Sequence, residues 1–191
     1  MASTYTSNNG IELISTGEQS GTWGNTTNTN LQIIDRLTNG VGAIALSGTT
    51  HTLTTTDGTL SDGHYAVLVF GGSPSGTNTV TINPNDQNKV FIVKNNSGES
   101  VVLTQGSGGN VTVADGKSAI VYADGAGAAA AVVDVTSTFV PPGALLAANN
   151  LSDLANAGTA RTNLGVAIGS DVLAYDANLQ SFVTTFTLPT T

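Results

Sequence analysis

Val111-Thr112-Val113-Ala114-Asp115-Gly116-Lys117-Ser118-Ala119-Ile120-Val121 holds two short runs of β-branched and small residues on either side of an Asp-Gly pair. Asp-Gly accepts the positive φ angles of a tight turn, so the stretch predicts a β-hairpin. Working outward, runs of the same kind recur at Ala43 to Leu46, Thr50 to Thr55, Tyr65 to Phe70, Thr79 to Ile82, Val90 to Val93, Val101 to Leu103 and Val132 to Val135. Between them stand Asp57-Gly58, Asp62-Gly63, Gly71-Gly72, Asn83-Pro84, Ser97-Gly98, Gly108-Gly109 and Asp124-Gly125. Turn signals spaced by about 8 to 12 residues are what an antiparallel sandwich or barrel produces. The expectation is a mainly β fold, an antiparallel β-sandwich of about nine strands over residues 41–136.

The flanks read differently. Residues 1–40 predict an N-terminal attachment arm and a short helix. A loop-like stretch, Gly17-Glu18-Gln19-Ser20-Gly21-Thr22-Trp23-Gly24, carries the single tryptophan, and beyond it Leu31, Ile34 and Leu37 recur every three residues beside Ile33, up to Asn39-Gly40. That helix needs cover for one apolar face, and Trp23 in a Gly-rich arm is an anchor either in a partner's pocket or in its own core. Residues 137–191 predict a linker and a C-terminal helical oligomerisation segment, opened by the breaker Pro141-Pro142-Gly143. Short helical pieces are expected around Leu151 to Asn156 and Thr159 to Leu164, with Ser152 and Thr159 as caps and Gly158 and Gly165 as stops. Then Ile168, Val172, Tyr175, Leu179, Phe182 and Phe186 follow at heptad spacing. A stripe on so short a helix needs a partner surface, which is either its own domain or the seam of an oligomer.

Composition narrows the function. Of 191 residues only 9% are charged and the net charge is −8, against roughly 25% charged in an ordinary globular domain. Five basic residues spread over the chain make no phosphate-binding patch, so no nucleic-acid partner is expected. No cysteine is present, which removes disulfides and thiolate metal sites. The first residues lack the blocks of a signal peptide, and no apolar run approaches the roughly 20 residues of a membrane span. Synthesis in a cytoplasm is expected.

The side chains offer little chemistry. His51 and His64 are the two histidines, and a zinc site would have to recruit Asp57 and Asp62 to His64. Those aspartates are already explained by Asp-Gly turns. A glycosidase needs two carboxylates across a cleft, whereas Glu12, Glu18 and Glu99 lie scattered and most aspartates precede Gly or start helices. No Gly-x-Ser-x-Gly elbow follows an apolar strand. Gly106-Ser107-Gly108-Gly109 leads into a strand and so makes no phosphate cradle. Neither an enzyme activity nor a cofactor is expected.

Three segments carry a resemblance. Gly10-Ile11-Glu12-Leu13-Ile14 through Gly21-Thr22-Trp23-Gly24 to Asn28-Thr29-Asn30-Leu31 resembles an N-terminal segment of virion structural proteins of tailed bacteriophages. Asn149-Asn150-Leu151-Ser152-Asp153-Leu154-Ala155-Asn156 through Thr159-Ala160-Arg161-Thr162-Asn163-Leu164-Gly165 is similar to a linker of phage tail fibres, and Ser170-Asp171-Val172-Leu173-Ala174-Tyr175-Asp176-Ala177-Asn178-Leu179-Gln180 to a segment that usually follows it. The β-zone, at Phe91 to Asn96 and Lys117 to Gly125, is similar to a fibre sandwich module. The resemblance implies a homotrimer in the virion, assembled in the host bacterial cytoplasm and attached through its N-terminal end to other virion proteins of the tail or neck. Tail fibres usually continue into repeats and a tip, and this chain stops at Thr191, so the expectation is a short fibre, a neck or adaptor ring component, or a connector that hands over to a separate tip protein. A capsid decoration protein and a module binding host surface glycan are the alternatives. Sugar sites stack aromatic rings, and one Trp with four Tyr is a sparse supply.

Overall fold

A computed structural model of the chain describes residues 2–139 and 154–166. The chain divides after Phe139 into two units. In the first, β1 (Thr4–Tyr5) and β2 (Glu12–Leu13) form a two-stranded antiparallel ribbon, followed by helix α1 (Trp23–Asn39). Then come β3 (Val41–Thr54), β4 (Val67–Asn83), β5 (Lys89–Asn95), β6 (Val101–Thr104), β7 (Val111–Val113), β8 (Ser118–Ala123) and β9 (Val132–Asp134). These seven strands make one sheet, nearly closed into a barrel.

The mainly β expectation holds, but the antiparallel arrangement does not. β3 pairs with β4, and β4 with both β5 and β6, all in parallel. Only β5–β8, β6–β7 and β8–β9 are antiparallel. The strand count falls because Ala43 to Leu46 and Thr50 to Thr55 lie along β3, and Tyr65 to Phe70 and Thr79 to Ile82 along β4. Gly71-Gly72, a turn signal in the sequence, lies inside the continuous strand β4, and Gly48 lies between the two runs that β3 joins. Gly48 takes φ +59° at a register shift, and at Gly72 (φ +92°) an added Cβ would meet the Leu46 carbonyl oxygen at 2.3 Å. Bulges and tight turns call on the same positive-φ glycines, so composition cannot separate them. The Asp115-Gly116 hairpin is likewise corrected. The turn forms, with Lys117 N–H donating to Ala114 O at 3.1 Å, but β7 goes to β6 and β8 to β5.

Each long strand therefore has two halves. Val41, Val67, Ile92 and Ile120 stand in register across β3, β4, β5 and β8. Thr50, Thr79, Val102 and Thr112 do the same across β3, β4, β6 and β7. Inward positions of both halves share one core that includes Leu68, Phe70, Phe91, Val93, Val80, Ile82, Val101 and Leu103. Each such side chain contributes roughly 1.5–3 kcal/mol on burial. Buried amides fasten the corners. Asn95 Nδ2 donates to the carbonyls of Glu99 (2.8 Å) and Val113 (2.9 Å), while its Oδ1 accepts from Ser97 N–H and Oγ. Gln105 Nε2 donates to Gln87 O at 2.6 Å and its Oε1 accepts from Gly125 N–H at 3.0 Å. Such groups hold only when satisfied, since a buried polar atom left alone costs about 1–3 kcal/mol.

Described residues of the second unit form α2 (Ala157–Asn163). Asn156 caps it, accepting Thr159 N–H at 2.9 Å, so the cap is Asn156 where Thr159 was expected. Gly158 lies inside the helix, and Leu154 to Asn156 are not helical. Gly165 (φ +67°) does stop the helix: its N–H donates to Thr162 O and that of Val166 to Arg161 O, a Schellman end.

Candidate functional site

The N-terminal segment is built as a clamp around β2 and the barrel end. Asn30 of α1 reads the backbone of Glu12 twice, accepting its N–H at 3.0 Å and donating to its carbonyl at 2.8 Å. One amide thus imitates a neighbouring strand. Gln19 links the same parts, its Nε2 donating to Glu12 Oε1 at 2.6 Å and its Oε1 accepting from Thr26 Oγ1. Gln19 and Gly21 adopt positive φ, and the Gln19 carbonyl receives the N–H groups of Thr22 and Trp23 at 2.9 Å. The helix therefore begins at Trp23, earlier than the loop reading of that stretch, and spans 17 residues.

The arm also meets the sheet. His64, fully buried, accepts Ser61 N–H at Nδ1 (3.1 Å), so its Nε2 carries the proton and donates to Asn9 O (3.1 Å). Lys89 Nζ donates to Asn9 Oδ1 at 3.0 Å, and Gly58 N–H to Gly10 O at 2.7 Å. Burial, aided by the charges of Lys89 and Arg36, holds the His64 pKa below its ordinary value despite the Asn9 bond, and burial lowers Lys89 to about 8. His64 is thus a fastener of the arm, with both ring nitrogens engaged, and is not brought into a metal cluster with Asp57 and Asp62. Among the described residues no three His, Cys, Asp or Glu side chains gather as metal ligands.

On α1 the sequence-singled residues separate. Ile33 is fully buried and Leu37 half-buried, whereas Trp23 (59% exposed), Leu31 (58%) and Ile34 (44%) face outward. At 3.6 residues per turn these three fall on one stripe with Thr27 and Thr38, roughly 100° from Ile33. The anchor is Ile33, and the spacing that singled out Leu31 and Ile34 traced the uncovered side. Arg36 lies over the Tyr65 ring at 4.6 Å and fixes the C-terminal end of the helix. The heptad residues Ile168, Val172, Tyr175, Leu179, Phe182 and Phe186 lie outside the described residues.

A second feature is an open polar pocket of about 580 Å³ between β1 and the strand ends, lined among others by Tyr5, Asp57, Asn83, Asp86 and Gln87. Buried Gln87 has an Oε1 with no hydrogen-bond partner. Among the described residues no helix is long and apolar enough to cross a membrane. No family model, no curated protein and no solved structure matches the chain.

Proposed function

We propose that the chain is a structural component of a bacteriophage particle, a trimeric tail or neck fibre or adaptor that attaches through its N-terminal arm and helix and connects or projects host-recognition parts. The observation that carries this reading is the Trp23, Leu31 and Ile34 stripe, uncovered on a helix that Ile33, Asn30 and Arg36 fasten to the rest of the body. A rigidly mounted apolar stripe with a tryptophan has the chemistry of an interface anchor. The tandem of segments similar to tail-fibre linkers supports the same reading, as does a surface of hydroxyls and amides with few charges. The triple variant W23D/L31D/I34D, made in the full chain, is expected to keep its circular dichroism spectrum and to lose incorporation into particles. Normal incorporation refutes the attachment role. Copy number in purified particles separates positions: about a dozen or fewer fits the tail, hundreds fits a capsid decoration protein.

The pocket favours a second reading, a module that binds host surface glycan. Its volume suits a small ligand, its lining is rich in acceptors, and it includes the ring of Tyr5, a residue 43% exposed. Binding to a glycan array that is abolished by Y5A supports this reading. Equal binding by the variant removes it.

A further inference from the structure

The outward positions of the two sheet halves are chemically unlike. Around the second halves of β3 and β4 they are Thr52, Thr81 and Thr104 in one row and Thr50, Thr79, Val102 and Thr112 in the next. Around the first halves they are Val41, Val67, Ile92 and Ile120 in one row and Val90, Tyr122 and Val133 in another. Of these, Val41 (60% exposed), Val90 (63%), Ile92 (48%) and Val133 (50%) lie open. Strands apolar on both faces are those that something covers on both sides.

We propose that this aliphatic outer face is the seam at which copies of this chain associate, so that its occupant is the same face of a second copy. The inference rests on the reading of the chain as an oligomeric virion part. Charge selects the occupant. Although the protein carries 13 Asp and Glu and a net charge of −8, the outward positions of this face in β3, β4, β5 and β8 include no carboxylate. Their one charged residue is Lys94, whose ammonium donates to Gly116 O at 2.7 Å. A second copy therefore approaches here without bringing like charges together, while a strongly acidic or basic partner finds almost no countercharge.

Shape points the same way. Beside the valine and isoleucine ridge lies an apolar hollow of about 220 Å³, where Ala43, Ala45, Gly71 and Gly72 leave the surface low. A ridge beside a hollow on one face lets the ridge of one copy fill the hollow of the next around a threefold axis, a heterologous contact that closes into a ring, and sheets pack face to face through such interdigitation. The face is aliphatic with one ring, Tyr122, so it lacks the paired aromatics of a sugar platform.

The test is native mass spectrometry with light scattering on the full chain, for wild type, V90K/I92K and the threonine-face control T52K/T81K. The inference expects an oligomeric wild type and control, and a V90K/I92K monomer of 19.2 kDa with an unchanged circular dichroism spectrum. An oligomeric V90K/I92K overturns the seam and leaves the virion reading standing. If L179D/F182D then dissociates the protein, the seam lies in the C-terminal stripe. A wild type monomeric at every concentration overturns both. Should V90K/I92K fail to fold, V90T/I92T preserves strand propensity and is expected to raise the dissociation concentration by at least about tenfold. An unchanged dissociation concentration overturns the inference.

Discussion

β4 passes through two environments. From Val67 to Phe70 it presents apolar side chains on both faces, and from Asn78 to Asn83 the same strand alternates Thr outward with Val80 and Ile82 inward. The inward faces are alike because both halves close on one core. The outward faces differ, and Val41, Val90, Ile92 and Val133 of the aliphatic one lie exposed. Inner positions thus report what the fold needs, and outer positions report what the molecule meets.

If that division is right, substitutions should sort by face. The largest effect is expected at Phe70, fully buried: F70A should cost about 3–5 kcal/mol in chemical denaturation through the cavity it leaves. A loss below about 1 kcal/mol would mean that the core is not packed as described. Next is Asn95, where N95A strands the Glu99 and Val113 carbonyls and should cost about 1–3 kcal/mol. A neutral result would remove the corner amide from the account.

The pH dependence probes the barrel end, where inward-facing Lys89 meets the arm. The folded pKa of Lys89 is lowered to about 8 from 10.5, so the folded chain releases this proton first. Stability should rise as the pH climbs from about 8 to about 10.5, and K89M should flatten that rise. His64 is also held low, chiefly by burial. Its contribution is complete above the unfolded value near 6.5 and declines as the pH falls below it, because the unfolded chain takes up the proton more readily. Urea midpoints measured across both windows check the signs. The smallest effects belong to the outer faces: T81V, and I92T measured on dissociated protein, should each change stability by less than about 0.5 kcal/mol. A large loss at Ile92 in the monomer would make the aliphatic face part of the fold itself.

Much of this architecture was legible in the residues. The β-branched runs located β3 to β9 but not the short ribbon of β1 and β2 within the arm, and Asn39-Gly40 and Gly165 marked helix ends where they fall. Parallel pairing was not legible, because it joins runs distant in sequence and leaves no local signature, while Gly48 and Gly72 carry the same composition whether they bend a strand or end it. The contrast between the unbroken run Ala66-Val67-Leu68-Val69-Phe70 and the alternation Thr79-Val80-Thr81-Ile82 was present, but its meaning depended on which strands lay side by side. Spacing singled out Leu31 and Ile34 on α1 but not Trp23, which stands in a Gly-rich stretch that reads as loop. The clamp of Asn30 on Glu12 did not follow from spacing, since a side-chain amide reaching a backbone 18 residues away has no period to detect.

The account depends on this body being a scaffold whose outward apolar surfaces join other polypeptides. Its most direct test is the mass of the unmodified full chain in solution over a wide concentration range. The expected result is a defined multiple of 19.2 kDa, three copies in the proposed arrangement, that persists on dilution into the micromolar range. A single 19.2 kDa species at every concentration would contradict it.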